Sequence, residues 1–313
     1  MASKMRAARD VTGHPISLAI AERKEYTKPL HCEFCDAQVS FVNGYTRTVG
    51  EDTIAVEPFF RLLKGHKHHN GCDYDIAGQI AIIARESEGD VIAALKGDKY
   101  ELRLLAVKKA LEQLHAAEQQ KKELDPNKPV STQEKRYAPG ETRLGAYINS
   151  AKRVLKVRAV CEEHSEIEDF LTLAFDGVRI PWSNFYFEDD DYFRCHRQLS
   201  TSSTQIPVAI HGTVKVIKPI STQGGNFMML ELVRPMQNTD KADIRKVAIV
   251  SIWSHDARAF EGYQKGQQII AFGMWAPKPQ KEIENKKAGS PIKTFVNYEM
   301  RLWPVTRSQL CNA

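Results

Sequence analysis

Cys32 and Cys35 stand two residues apart in HCEFC, and GHKHHNGC follows with His66, His68, His69 and Cys72. Few folds accommodate such a set by accident. Four-coordinate zinc takes thiolates and imidazoles, which structural sites supply as two close pairs brought together by the chain. Cys32 and Cys35 form the first pair, on one tight turn that lets both sulfurs point inward. Cys72 with a histidine forms the second: His68 leaves three residues between the ligands, His69 leaves two, and either spacing closes on one ion. His68 is favoured, because Cys72 opens a helical pattern and the approaching turn aims His68 inward; His69 stays open as the alternative ligand. The competing reading is a histidine-rich surface turn beside three core thiols. The expected cofactor is a structural Zn2+. A catalytic ion needs an open position and a nearby general acid or base. Glu33, inside the first pair, does not give the HxE arrangement of zinc deaminases.

At 313 residues the chain exceeds one ordinary core, and an α+β protein of several domains is expected. Residues 28–64 read as short strands, with Asn43-Gly44 as a hairpin signal. Ile76, Ile80 and Ile83 recur at helical spacing, as do Leu104, Val107, Leu111 and Leu114. This gives a zinc module with helices over 1–124, a Pro- and Lys-rich linker over 125–143, a middle α/β segment over 144–205 and a last domain over 206–313. In the middle segment, Asp176-Gly177 marks a hairpin and Glu188 to Asp191 a solvated acidic turn. Six cysteines, three of them scattered, suit buried thiols better than a disulfide framework, and no run is apolar enough to cross a bilayer. The N-terminal basic residues have no apolar segment behind them, so a secretory signal is not expected and a cytoplasmic location is. A net charge of +5 permits a nucleic-acid partner without requiring one.

The last hundred or so residues give strand-like blocks: QIPVAIHGTVKVI, NFMMLELVRP, KVAIVSIW, QQIIAFGMWAP and TFVNYEMRLWP, with HDARAFEGY read as a helix between the third and fourth. That element order, with Gly212 inside the first strand and the KGQ turn at Lys265, resembles OB-fold proteins that bind single-stranded nucleic acid. The resemblance implies a five-stranded barrel. Alternation then sets the faces. Val208, Ile210, Val214 and Val216 point inward, with His211, Thr213 and Lys215 outward; Met228, Leu230 and Leu232 inward, with Phe227, Met229 and Glu231 outward; Ala248, Val250 and Ile252 inward, with Ser251 and Trp253 outward. Phe227 and Trp253 would share an exposed face suited to stacking bases, and Trp275 borders it. Lys215, Lys218, Arg234, Arg245 and Lys246 would flank it, and Lys281, Lys286 and Lys287 would reach phosphates from a long loop before the fifth strand.

The opening Gly13 and Ile16, then Cys32 and Cys35, Gly44, and Phe59-Phe60 ahead of His68 resemble the N-terminal zinc module of competence CoiA-like proteins. That family continues into a nuclease core with an E-x-K strand. Here Glu231 is followed by Leu232, Val233 and Arg234, so the activity is not carried over. No phosphate loop, serine elbow or dinucleotide fingerprint is present in the sequence. The expected protein is not an enzyme. It is an accessory factor that binds single-stranded nucleic acid, DNA before RNA, in replication, recombination, conjugative transfer or phage conflict. The alternatives are a protein–protein interaction module, with protein partners or a homo-oligomer, and a metal-dependent nuclease-related protein.

Overall fold

A computed structural model describes residues 4–49, 52–56, 58–124, 139–161, 163–222, 225–256, 258–287 and 289–313. It divides into two compact units, Met1–Leu102 with Arg153–Thr172, and Arg103–Lys152 with Leu173–Ala313. The chain leaves the first unit, returns to it and leaves again. No helix among the described residues is long and apolar enough to cross a membrane.

The first unit is built from short strands: β1 (Ala7–Arg9), β2 (Pro15–Ser17), β3 (Leu30–Cys32), β4 (Gln38–Val42), β5 (Tyr45–Val49), β6 (Asp52–Val56) and β7 (Phe59–Leu62). One sheet runs β2-β1-β3-β4-β7 with antiparallel neighbours. Asn43-Gly44 does not close a hairpin as expected. β4 pairs with β7, and β5 pairs with β6 as a separate ribbon. The helix Ile76–Glu86 buries Ile76, Ile80 and Ile83, as their spacing predicts. β8 (Ile92–Ala94) and β9 (Tyr100–Arg103) pair as an antiparallel hairpin. Its core gathers Met5, Ala8, Leu30, Val39 and Phe60 around the sulfurs of Cys32, Cys35 and Cys72.

In the second unit, the helix Leu104–Leu124 buries Leu104, Val107, Leu111 and Leu114. Most of the expected linker, 125–138, lies outside the described residues, and its last part begins the helix Pro139–Ala159. Proline is suited to that first helical position. β10 (Leu171–Phe175) and β11 (Val178–Ile180) form the expected hairpin, Asp176 and Gly177 both taking positive φ, 50° and 76°.

The remaining strands are β12 (Tyr186–Phe187), β13 (Val208–Thr222), β14 (Gly225–Leu232), β15 (Met236–Asn238), β16 (Ile244–Ser254), β17 (Gln268–Gly273), β18 (Ala276–Pro277), β19 (Lys281–Glu284), β20 (Thr294–Leu302) and β21 (Leu310–Asn312). They make one curled sheet with the path β18-β20-β16-β14-β13-β17-β21. β13 holds it together: Val208 to Thr213 pair with β17, and Val214 to Thr222 pair with β14. A bulge at Lys215 separates the two halves, placing Val216 opposite Glu231. Such an extra residue sharpens twist and lets one strand turn between two partners. The bulge also corrects the expected alternation. Beyond it Ile217 faces the core, opposite Leu230, while Val216 and Lys218 share the other face with Glu231 and Met229.

The concave side encloses Val208, Ile210, Val214, Leu230, Leu232, Val250, Ile252, Met300 and Leu302. One further expectation is corrected here. The described residues of HDARAFEGY form bends and turns, with Phe260 buried in this core, and the helix packed on the core is Tyr192–Thr201, through Tyr192, Phe193 and Cys195. The middle-segment aromatics are also consumed: Trp182, Phe185, Tyr186 and Phe187 are all buried, and β12 runs parallel to the start of β13. A Cβ on Gly212 would collide with the Tyr192 hydroxyl and lie 3.0 Å from an Asp189 carboxylate oxygen. Gly212→Ala should therefore break the 2.8 Å bond that Tyr192 Oη donates to His211 O and cost about 1–3 kcal/mol. Thermal denaturation checks this, and the penalty should shrink in a Tyr192→Phe background, where the colliding hydroxyl is gone.

Candidate metal centre and aromatic sheet face

Cys32 ends β3, Cys35 closes the turn that follows it, and His68 and Cys72 come from the segment between β7 and the helix Ile76–Glu86. Their ligand atoms all lie within 4.8 Å of one another. Cys32 Sγ is 3.7 Å from Cys72 Sγ, and His68 Nδ1 is 3.4 Å from Cys35 Sγ and 3.5 Å from Cys72 Sγ. These four residues can hold a metal ion. His69 is exposed and is not among them; its carbonyl instead accepts from the Cys72 amide at 3.0 Å. The turn is braced from outside, where Arg9 donates through Nε to Cys32 O and through Nη2 to Cys35 O, both at 3.1 Å. Tyr74 ties the two ligand pairs, donating to Glu33 Oε1 at 2.9 Å while its ring lies 5.8 Å from that of His68. Burial pushes the Cys32 and Cys72 thiols up, so holding thiolates here calls for a compensating cation. At Cys35 burial acts the same way, but backbone N–H groups of His69 and Ala37 prevail and bring the thiol down. Burial also lowers His68, favouring the neutral imidazole that binds metals.

On the convex face of the curled sheet, Met229 lies opposite Trp253 and Glu231 opposite Ser251. The Ser251↔Arg301 register of the parallel β16–β20 pair sets Trp303 beside Trp253. Four rings thereby cluster: Phe227 is 6.2 Å from Trp253, 5.5 Å from Trp303 and 4.9 Å from His255, and the two tryptophans are 5.9 Å apart and tilted by 32°. Trp303 is 40% exposed, and Phe227 and Trp253 are half-buried. Arg301 lies over the Trp253 ring at 5.2 Å, and Trp253 Nε1 donates to Ser251 Oγ at 2.9 Å.

The sequence placed Phe227 and Trp253 together and missed Trp303, His255 and Arg301. The same alternation reaches them, since Met300 and Leu302 face the core and Arg301 and Trp303 must face away.

Other expected contacts fall elsewhere. Trp275 is in the core, donating through Nε1 to Val208 O at 3.1 Å, and is no part of the convex face. Lys218 is on that face and exposed. Lys215 and Arg234 are there too, but both are engaged by Glu231. Arg245 shares the orientation of Ser251 and Trp253, whereas Lys246, one residue on, has that of Ala248 and is directed away. Lys281 is exposed on β19, opposite Asn297. The long loop is mostly not a free flap, because β18 and β19 pair along β20. Lys286 and Lys287 are exposed in the turn beyond β19, where Lys293 N bonds Asp243 O beside Ile244. At about 3.3 Å per residue, Ile244 lies roughly 30 Å along β16 from Trp253, so these two lysines do not join the aromatic cluster.

No protein-family model matches the chain and no curated protein matches it, so the likeness to CoiA-like proteins finds no support. Among solved structures, the wild-type single-stranded DNA-binding protein from Thermus aquaticus is similar over 34% of this chain and 49% of its own, at 18% identity and a TM-score of 0.19. A deletion mutant of that protein matches over the same shares at 17% identity and the same TM-score. The chain thus spans about half the length of each, 49%.

Proposed function

We propose that the chain captures single-stranded nucleic acid, DNA in preference to RNA, on the convex face of its curled sheet, without turnover, and that Cys32, Cys35, His68 and Cys72 hold a structural Zn2+. The ring cluster carries the first half of this reading. Phe227, Trp253, His255 and Trp303 sit together on three neighbouring strands, partly open to solvent, with Lys218 and Arg301 on the same face. Bases of any sequence stack on such rings while cations track the backbone. The connectivity agrees with an OB-type barrel: β13 pairs with both β14 and β17, β14 with β16, and β16 with β20 in parallel.

For the metal, tetrahedral zinc with Zn–S of about 2.3 Å and Zn–N of about 2.0 Å has edges of about 3.8 Å between sulfurs and about 3.5 Å between sulfur and nitrogen. The three separations of 3.7, 3.4 and 3.5 Å are close to these edges, and all four ligand atoms lie within 4.8 Å of one another. All four positions are filled by protein, which suits a role in holding the turn rather than in activating water.

Fluorescence polarisation with labelled oligo(dT) tests the reading. If Lys215, Lys218, Arg234 and Arg301 each meet a phosphate, the log–log salt slope should be near −3, at about −0.7 per contact. A four-fold rise in salt should then weaken binding roughly 50-fold. Absence of binding even at low salt would overturn the proposal and leave the ring cluster as a protein-docking surface.

A further inference from the structure

The convex face contains a group that a polyanion-binding surface should avoid. Glu231 is only 4% exposed, at the end of the row Phe227, Met229, Glu231. Burial works against its charge, but Arg234 and Lys215 hold the carboxyl below its usual range. Arg234 donates to it through both Nε and Nη2, each at 2.6 Å, and Lys215 Nζ lies 3.1 Å from Oε1. Both cations keep solvent-facing surface, their side chains being 43% exposed for Lys215 and 36% for Arg234. Two local features set the geometry. The bulge brings Lys215 to the Glu231 side, and the segment Val233-Arg234-Pro235 that follows β14 lets Arg234 reach back to it.

We infer that Lys215, Glu231 and Arg234 form a pre-organised phosphate seat at one end of the ring cluster, with Glu231 as the positioning residue. The inference rests on the proposal that this face binds nucleic acid. A mobile lysine or arginine loses side-chain freedom when it meets a phosphate; here the buried carboxylate has already fixed both cations. The triad keeps a net positive charge. The guanidinium edge not used by Glu231 offers donors in a fixed plane, which suits a phosphate oxygen pair better than an ammonium does.

The test has an unusual sign. Glu231→Gln makes the face more positive, so charge counting alone predicts tighter oligo(dT) binding. The seat predicts weaker binding, by about ten-fold, because the cations lose their anchor. Arg234→Lys keeps the charge and should also weaken binding by about ten-fold. In both variants the salt slope should become shallower by about 0.7 or more, which a purely structural ion pair would not produce. Melting curves accompany both; should Glu231→Gln not fold, Arg234→Lys decides, since its side chain is partly exposed and Lys215 still pairs with Glu231. Affinity equal to or above wild type in the folded variants overturns the seat. If Trp253→Ala weakens binding while these variants do not, the seat alone fails; if the wild type binds no oligo(dT), the nucleic-acid reading fails with it.

Discussion

If the Cys32, Cys35, His68 and Cys72 set holds the proposed Zn2+, a strong chelator acting on the full chain should abolish the folded first unit while leaving the tryptophan fluorescence of the second unchanged. All four tryptophans, Trp182, Trp253, Trp275 and Trp303, belong to the second unit, so the two signals separate. The size of the effect follows from how little else the first unit has. Its main sheet has strands of three to five residues, and the three candidate ligand cysteines are themselves members of its core. A structural zinc contributes roughly 10–16 kcal/mol of apparent binding energy in small domains, more than the entire stability of most of them. Far-UV circular dichroism should therefore lose the first unit's contribution on chelation and regain it on adding Zn2+. Metal analysis should find one ion per chain in the wild type and in His69→Ala, and a loss in His68→Ala and Cys72→Ser. A chelated protein with unaltered dichroism and melting would sink the structural-metal reading.

The metal set was legible because the chemistry of ligation leaves a mark in residue type and spacing. His68 was favoured over His69 because the turn enters the helix just beyond Cys72, and His68 is the histidine that lies with the three cysteines. Alternation along β14 and β16 was legible for the same kind of reason: Leu230, Leu232, Val250 and Ile252 face one core. On β13 it failed after Val214, where a bulge that no residue announces shifts every later side chain to the other face. Trp275 was misplaced because its fate is decided by a non-local partner, the Val208 carbonyl. Lys286 and Lys287 were misplaced because the parallel β16–β20 register sets their loop at the far end of the sheet. Turn chemistry is local and was read correctly at Asp176-Gly177; at Asn43-Gly44 pairing with β7 overrode it.

Trp253→Ala and Trp303→Ala should each weaken oligo(dT) binding by about 1–3 kcal/mol, roughly 5- to 150-fold, the scale of one base–aromatic stack. Trp303 is the cleaner probe. It is 40% exposed, so truncation leaves little cavity, whereas Trp253 also donates to the buried Ser251 hydroxyl and supports Arg301. The double variant should lose less than the sum, because the rings lie 5.9 Å apart and removing one already disturbs the surface the other offers. Salt separates this effect from the phosphate contacts. Stacking involves no counterions, so the free-energy loss in Trp303→Ala should be the same at low and high salt and the log–log slope should match wild type. Charge substitutions such as Lys218→Ala should instead flatten the slope. A double tryptophan variant that binds as tightly as wild type, with its curled sheet folded, would show that the ring cluster does not receive bases. Binding carried by the cations alone would then predict the full salt slope with no aromatic contribution, an outcome the same titrations read directly.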